Sequence, residues 1–123
     1  MAYDEKLAQR VRTILGQRRG VTEKRLMGTL AFMVNGVMCC SVGRDGLLVR
    51  VVAEERDALL GKPFVSAMKL GARTMKGFVR VSLEGLRTRA QVAQWIERGI
   101  AAGTRRKKGA SRRGASSPTR GDR

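Results

Sequence analysis

A chain of 123 residues, of which 42% are hydrophobic, is long enough for one domain with a modest core. Its net charge of +16 favours polyanionic partners: nucleic acid, an anionic membrane surface or an acidic protein. The lack of histidine removes the commonest general base and metal ligand, and two adjacent cysteines cannot form a disulfide framework.

The first predicted element is a helix over residues 4–17. Leu7, Val11 and Leu15 recur at helical spacing, and Asp4 is a suitable N-terminal cap. The same segment contains acidic residues and no long apolar run, so we do not expect a secretory signal peptide. We therefore expect the protein to be cytoplasmic.

Three or four antiparallel strands are predicted next, over residues 22–52. The dipeptide Asn35-Gly36 lies between two apolar runs and is a strong hairpin signal, because both turn positions need a positive φ. A second turn is expected at residues 43–46. The longest apolar run, residues 30–34, is far too short to cross a bilayer, and we expect no contact with a membrane.

The two cysteines lie on the third predicted strand. Strict alternation places Cys40 on the core face with Met38 and Val42, and Cys39 on the opposite face. A reactive thiolate at Cys39 is one hypothesis, and the alternative is that it packs as a small hydrophobic side chain. Two adjacent cysteines do not make a tetrahedral zinc site, and we expect neither a metal nor another cofactor.

The second half of the chain predicts a short helix, two strands and a long final helix. The short helix covers residues 53–60, with acidic residues in its first turn, where the helix dipole favours them. Strands are expected over residues 63–67 and 77–81. Thr88 and Gln91 fit a capping box that opens the final helix.

This order of elements predicts an α+β fold. Strands and helices do not alternate as a parallel sheet would require, and the apolar stripes of the two long helices need a surface to cover. We predict a two-layer sandwich: an antiparallel, meandering β-sheet with the N- and C-terminal helices packed on one face. Residues 1–103 form this domain, and Gly103 is expected to end the final helix.

Residues 104–123 form a basic tail without Leu, Ile, Val, Phe or Trp, and we expect it to be disordered. The tail carries eight basic residues and one acid, and the domain carries 18 basic and nine acidic residues. Release of counterions by the tail predicts weak nucleic-acid binding without sequence preference. The candidate contact residues are Arg105, Arg106, Lys107, Lys108, Arg112, Arg113 and Arg120.

A candidate interaction surface lies on the last predicted strand. Residues 76–78 begin like an RNA-recognition signature, but Val79 and Arg80 stand where a small residue and a second aromatic belong. If Val79 faces the core, Phe78 lies partly exposed on the other face, beside Lys76 and Arg80. A protein partner, a second copy in a homodimer or a loop would cover the ring.

Five short stretches form an ordered set along the chain. They read RVR, GVTEKRLMG, FMVNGVM, GLLVRV and ARTMKGFV, and a final helix with Trp95 follows them. Over roughly residues 5–103 this set resembles the N-terminal domain of the TfoX (Sxy) family. The resemblance implies an antiparallel α+β domain and a role as a transcriptional co-regulator of competence and DNA transformation.

The resemblance brings no catalytic residues, because none is established for this family. Full competence regulators of the family carry a second, helical domain where this chain has the basic tail. We therefore predict a non-enzymatic regulatory module that contacts the transcription machinery or a regulator. Direct nucleic-acid binding through the tail is the alternative, and an enzyme that uses a Cys39 thiolate is a third hypothesis.

Overall fold

The computed structural model describes residues 3–16, 18–26, 28–70 and 72–115, with the backbone alone at Leu70 and at residues 106–115. Within these ranges the chain forms three α-helices and six strands. The elements are α1 Glu5–Leu15, β1 Val21–Leu26, β2 Thr29–Val34, β3 Val37–Val42, β4 Gly46–Arg50, α2 Ala53–Leu60, β5 Val65–Leu70, β6 Arg73–Ser82, a 3-10 helix Leu83–Leu86 and α3 Arg89–Ala115.

The strands form one antiparallel sheet in the order β1-β2-β3-β4-β6-β5. The first four strands are a meander, and β6 then pairs with β4, which leaves β5 at the edge. Asn35 and Gly36 have φ angles of 53° and 82°, the positive values that a tight hairpin turn between β2 and β3 needs. The predicted hairpin is therefore confirmed.

The core lies between one face of this sheet and the helices. Each central strand directs alternate side chains to this core face, and burial of each such side chain contributes about 1.5–3 kcal/mol. Helix α1 adds Leu7 and Val11, and α3 adds Val92 and Ile96. The predicted two-layer sandwich is confirmed. The buried residues of the core face are Leu30, Phe32, Cys40, Val42, Leu47, Val49, Val79 and Val81.

A β-bulge decides which face Cys39 occupies. The pairing between β2 and β3 skips Cys39, which is an extra residue in its strand. Its side chain lies on the core face, 1% exposed, and its thiol donates a hydrogen bond to the carbonyl of Ile96 at 3.5 Å. The predicted outward orientation of Cys39 is wrong, because alternation does not hold through a bulge. For the same reason Met38 lies on the face opposite Cys40.

The hairpin of β5 and β6 is longer than predicted. Pairing extends to Leu70 and Arg73, so the expected loop over residues 71–74 is shorter. Strand β5 begins at Val65, two residues after Pro63, which has no N–H to donate to the sheet. The added pairs lengthen the sheet edge without changing its topology.

Helix α3 is also longer than predicted. It continues to Ala115, so the prediction that it ends at Gly103 is wrong. Gly103 packs against β3 instead of capping the helix: a Cβ there would lie 3.4 Å from Val37 Cγ1. A glycine inside a helix costs only about 1 kcal/mol, and the Arg, Lys and Ala residues that follow favour helix.

The expected boundary between domain and tail therefore falls inside α3. Residues 104–115 continue the helix, and residues 116–123 lie outside the described part of the chain. The division into a domain of residues 1–103 and a disordered tail of residues 104–123 stays a prediction. None of the helices in the described part is both long and apolar enough to span a membrane.

The start of α3 confirms the predicted capping box. The backbone N–H of Gln91 donates to Thr88 Oγ1 at 3.1 Å, and the backbone N–H of Thr88 donates to the side-chain Oε1 of Gln91 at 3.0 Å. We expect Thr88→Ala to lower the free energy of unfolding by about 1 kcal/mol in urea titrations, because one helix N–H loses its acceptor. The control is Thr13→Ala, because the Thr13 hydroxyl donates to the Gln9 carbonyl within α1 and caps no helix end. Equal losses in both variants would contradict the capping role.

Candidate interaction surface

One row of directly paired residues crosses the whole sheet on the side away from the helices. It connects Lys24, Ala31, Ser41, Leu48, Arg80 and Ser66, one from each strand. The next row along the strands points to the core. We call the side that carries this row, together with Leu26, Met33, Met38, Met68 and Phe78, the open face, because the described helices all pack on the other side.

A groove of about 490 Å³ lies on the open face. Ser41 and Ser66 have short side chains, and Gly43 and Gly46 have none, so the floor of the groove is low. Longer apolar side chains form its walls, and these are Leu26, Met38, Leu48 and Met68. The groove is therefore an apolar depression in a sheet surface, and Leu26 at its border is 41% exposed.

The predicted surface residues Phe78 and Arg80 lie on the open face. Val79 between them is fully buried, Arg80 is exposed and Phe78 is half-buried. Lys76, on the same strand, is exposed. The structure thus brings Phe78 and Arg80 to one side of β6, and the role of all three residues in binding stays a prediction.

Arg50 belongs to this surface and was not among the predicted residues. It pairs with Phe78 across β4 and β6, and its guanidinium carbon lies 4.7 Å from the centroid of the Phe78 ring. Its Nε donates to the Met38 carbonyl at 2.6 Å, where the bulge interrupts pairing between β3 and β4. Alternation along residues 46–50 could have placed Arg50 on the same face as Leu48. Its contact with the Phe78 ring could not be predicted, because it depends on the pairing of β4 with β6.

The charged side chains of the open face are mostly basic. Lys24 and Arg80 are exposed, and Asp45 lies at one end of the groove. Arg80 Nη1 lies 3.9 Å from Met68 Sδ, a weak contact, and within the described residues Arg80 forms no ion pair with a carboxylate. An apolar groove with the unneutralised Arg80 at its border can bind a partner that has both apolar and acidic groups.

Of the seven predicted tail residues, Arg105 has its side chain in the described part of the chain. Arg105 Nη2 lies 2.7 Å from Glu54 Oε2, a contact that joins α3 to α2. Both side chains are about two-thirds exposed, so this ion pair contributes at most about 1 kcal/mol. Arg106, Lys107, Lys108, Arg112 and Arg113 belong to the helical backbone of α3, and Arg120 lies outside the described residues.

Both thiols are buried under α3. A hydrogen bond with Cys39, together with burial, raises the pKa of the Cys40 thiol well above its ordinary value. Cys39 is 1% exposed and faces the core. A thiolate nucleophile needs access to its substrate. The buried position of Cys39 therefore does not favour the hypothesis that it is a reactive thiolate.

Comparison with known proteins gives a family match. The sequence model of the TfoX N-terminal domain family matches residues 13–103, which include every described strand and the first part of α3. Comparisons with curated proteins and with solved structures gave no significant match. The resemblance seen in the sequence is therefore confirmed.

Proposed function

Because the chain belongs to the TfoX N-terminal domain family, we propose that it is a non-enzymatic regulatory module that acts through protein contacts on its open face. One observation supports this proposal above all. A sheet covered by helices on one side presents, on the other, an apolar groove bordered by Arg80, with Lys24 further along the same row of residues. Soluble proteins seldom leave such a surface without a partner.

The side chains of the groove are suited to a protein partner. Met38 and Met68 are flexible and polarisable, so they can adapt to the shape of an incoming surface. Leu48 supplies a central apolar contact, and Arg80 beside it supplies a charged hydrogen-bond donor. Methionine, arginine and aromatic residues are enriched in the same way in protein–protein interfaces.

We propose further that the partner belongs to the transcription machinery or is a transcriptional regulator, and that binding takes place in the cytoplasm. This finer role follows from what the family implies about competence. A homodimer through the open face is a weaker candidate, because two copies would bring Arg80 and Lys24 of each chain together at a net charge of +16.

We expect Leu48→Glu to reduce partner capture from nuclease-treated native extract by at least about tenfold, because the new carboxylate is buried at the centre of the contact. The matched control is Ala101→Glu, which adds the same charge to an exposed position of α3 on the other side of the molecule. Thermal unfolding of both variants checks that they are folded. Equal capture by the two variants would contradict a binding role for the open face.

Nucleic-acid binding is the second candidate function. It is favoured by the charge of +16 and by the eight basic residues that follow Gly103. Capture that disappears after nuclease treatment would favour this function over protein contact.

A further inference from the structure

A second cavity, of about 230 Å³, lies on the helix side of the molecule, away from the open face. Three segments that are distant in sequence form it: the turn before β5, the 3-10 helix with the end of β6, and the first turns of α3. Its charged, amide and aromatic side chains are Lys62, Phe64, Gln91, Gln94, Trp95 and Arg98.

Phe64 has an unfavourable backbone conformation. Its φ is +68°, in the left-handed region that favours glycine, within a turn where the Val65 N–H donates to the Lys62 carbonyl at 3.4 Å. Its side chain is nevertheless 52% exposed, so half of the ring gains nothing from burial. A strained residue with an exposed aromatic ring is typical of a binding site.

Two of the five aromatic residues of the chain flank this one cavity. Trp95 is 8% exposed and its ring forms part of the wall. The Arg98 guanidinium carbon lies 5.6 Å from the Trp95 ring centroid. Arg98 covers one face of the nearly buried Trp95, so the ring of Phe64 is the flat π surface that this cavity offers to a planar ligand.

Polar groups complete the cavity. In the described part of the chain neither Lys62 nor Arg98 forms an ion pair with a carboxylate. Gln91 uses its Oε1 to cap α3, which leaves its amide N–H groups as donors, and Gln94 is exposed beside it. These groups combine two cations with amide donors and acceptors.

We infer that this cavity binds a nucleotide unit. A planar base stacks on the exposed ring of Phe64, the glutamine amides bond its polar edge, and Lys62 and Arg98 bind the phosphate. The volume is below the 300–1,000 Å³ or so of pockets for drug-sized ligands, which suits one base with its phosphate at the mouth. The unit can be a free nucleotide or part of a single strand.

Trp95 is the only tryptophan of the chain, so its fluorescence reports on this cavity directly. The full chain is titrated with AMP, with adenosine and with ribose 5-phosphate, which carries the same phosphate without the base. We expect AMP to quench Trp95 fluorescence and ribose 5-phosphate to bind at least about tenfold more weakly, because stacking is lost. Equal binding of these two compounds, or no binding of AMP, would overturn the inference.

Two variants of the cavity locate the binding. Phe64→Gly relieves the positive φ and removes the ring, so we expect about 5- to 150-fold weaker AMP binding, with a thermal midpoint within about 5 °C of the parent. Arg98→Gln should weaken AMP binding and leave adenosine binding unchanged. The control Phe78→Leu removes an aromatic ring on the open face and should bind AMP normally. Unchanged AMP binding by both cavity variants would refute the site.

A competition experiment separates the two sources of the nucleotide unit. We add an adenine oligonucleotide to the parent chain with bound AMP, and to the Phe64→Gly variant. If the oligonucleotide displaces AMP from the parent chain, and its remaining binding to Phe64→Gly is salt-sensitive, the site accepts a base within a strand. AMP binding that the oligonucleotide does not displace indicates a free nucleotide as the ligand.

Discussion

Gly99→Ala is expected to destabilise the protein by about 2–3 kcal/mol, although alanine is the better helix former by about 1 kcal/mol. Gly99 lies where α3 crosses the bulge in β3. A Cβ at this position would lie 2.5 Å from the Cys39 carbonyl oxygen and 2.9 Å from its Sγ. The carbonyl cannot rotate away as a side chain could, so the helix must move off the sheet.

The matched control is Gly103→Ala, one helical turn after Gly99 in α3. A Cβ at Gly103 would meet Val37 Cγ1 at 3.4 Å, an ordinary van der Waals contact. We therefore expect Gly103→Ala to be neutral or to stabilise the protein by up to about 1 kcal/mol. Urea titration of the two variants measures the difference, and equal effects at both positions would contradict the close contact between α3 and the bulge.

Nucleic-acid binding by the full chain should depend steeply on salt. If seven or eight tail residues engage phosphates, the slope of log K against log salt is about −6 to −7. The affinity then falls by about 10³- to 10⁵-fold between roughly 50 and 200 mM salt. Filter binding or fluorescence anisotropy with two unrelated duplexes measures the slope, and we expect the two duplexes to bind equally well.

Removal of residues 104–123 should abolish this binding and leave the thermal midpoint nearly unchanged. The deletion removes one described tertiary contact of this segment, the exposed pair between Arg105 and Glu54. A full-length variant with its seven candidate tail residues changed to glutamine is the companion, because it keeps the length of the chain. If the shortened chain binds as tightly as the parent, the basic domain surface and not the tail is responsible.

Local patterns in the sequence predicted those features that depend on neighbouring residues. The hairpin at Asn35-Gly36 depends on two positive φ angles, and the capping box of α3 depends on Thr88 and Gln91 alone. The two-layer arrangement followed from apolar stripes on two helices. Each of these signals is complete within a short segment, and the structure confirms them.

Features that depend on distant segments could not be predicted in this way. The inward position of Cys39 results from a skipped residue in the pairing of two strands. The length of α3 beyond Gly103 depends on packing against Val37 as well as on propensity. Both features depend on contacts between segments that are far apart in the sequence, and a local sequence pattern does not show such contacts.

The same distinction applies to the candidate surface, which could be predicted from the sequence only in part. Alternation on the last strand placed Phe78 and Arg80 on one face. The groove beside them needs Leu48 from β4 and Met68 from β5, and these become neighbours of Arg80 only because β6 lies between β4 and β5. That strand order is a property of the whole sheet.

The most direct test of the open face as a binding surface is methionine oxidation with and without the captured partner. Met38 and Met68 line the groove. We expect peroxide to oxidise Met38 and Met68 readily in the isolated protein and several-fold more slowly in the complex. Equal oxidation of Met38 and Met68 in the two states would show that the partner binds elsewhere.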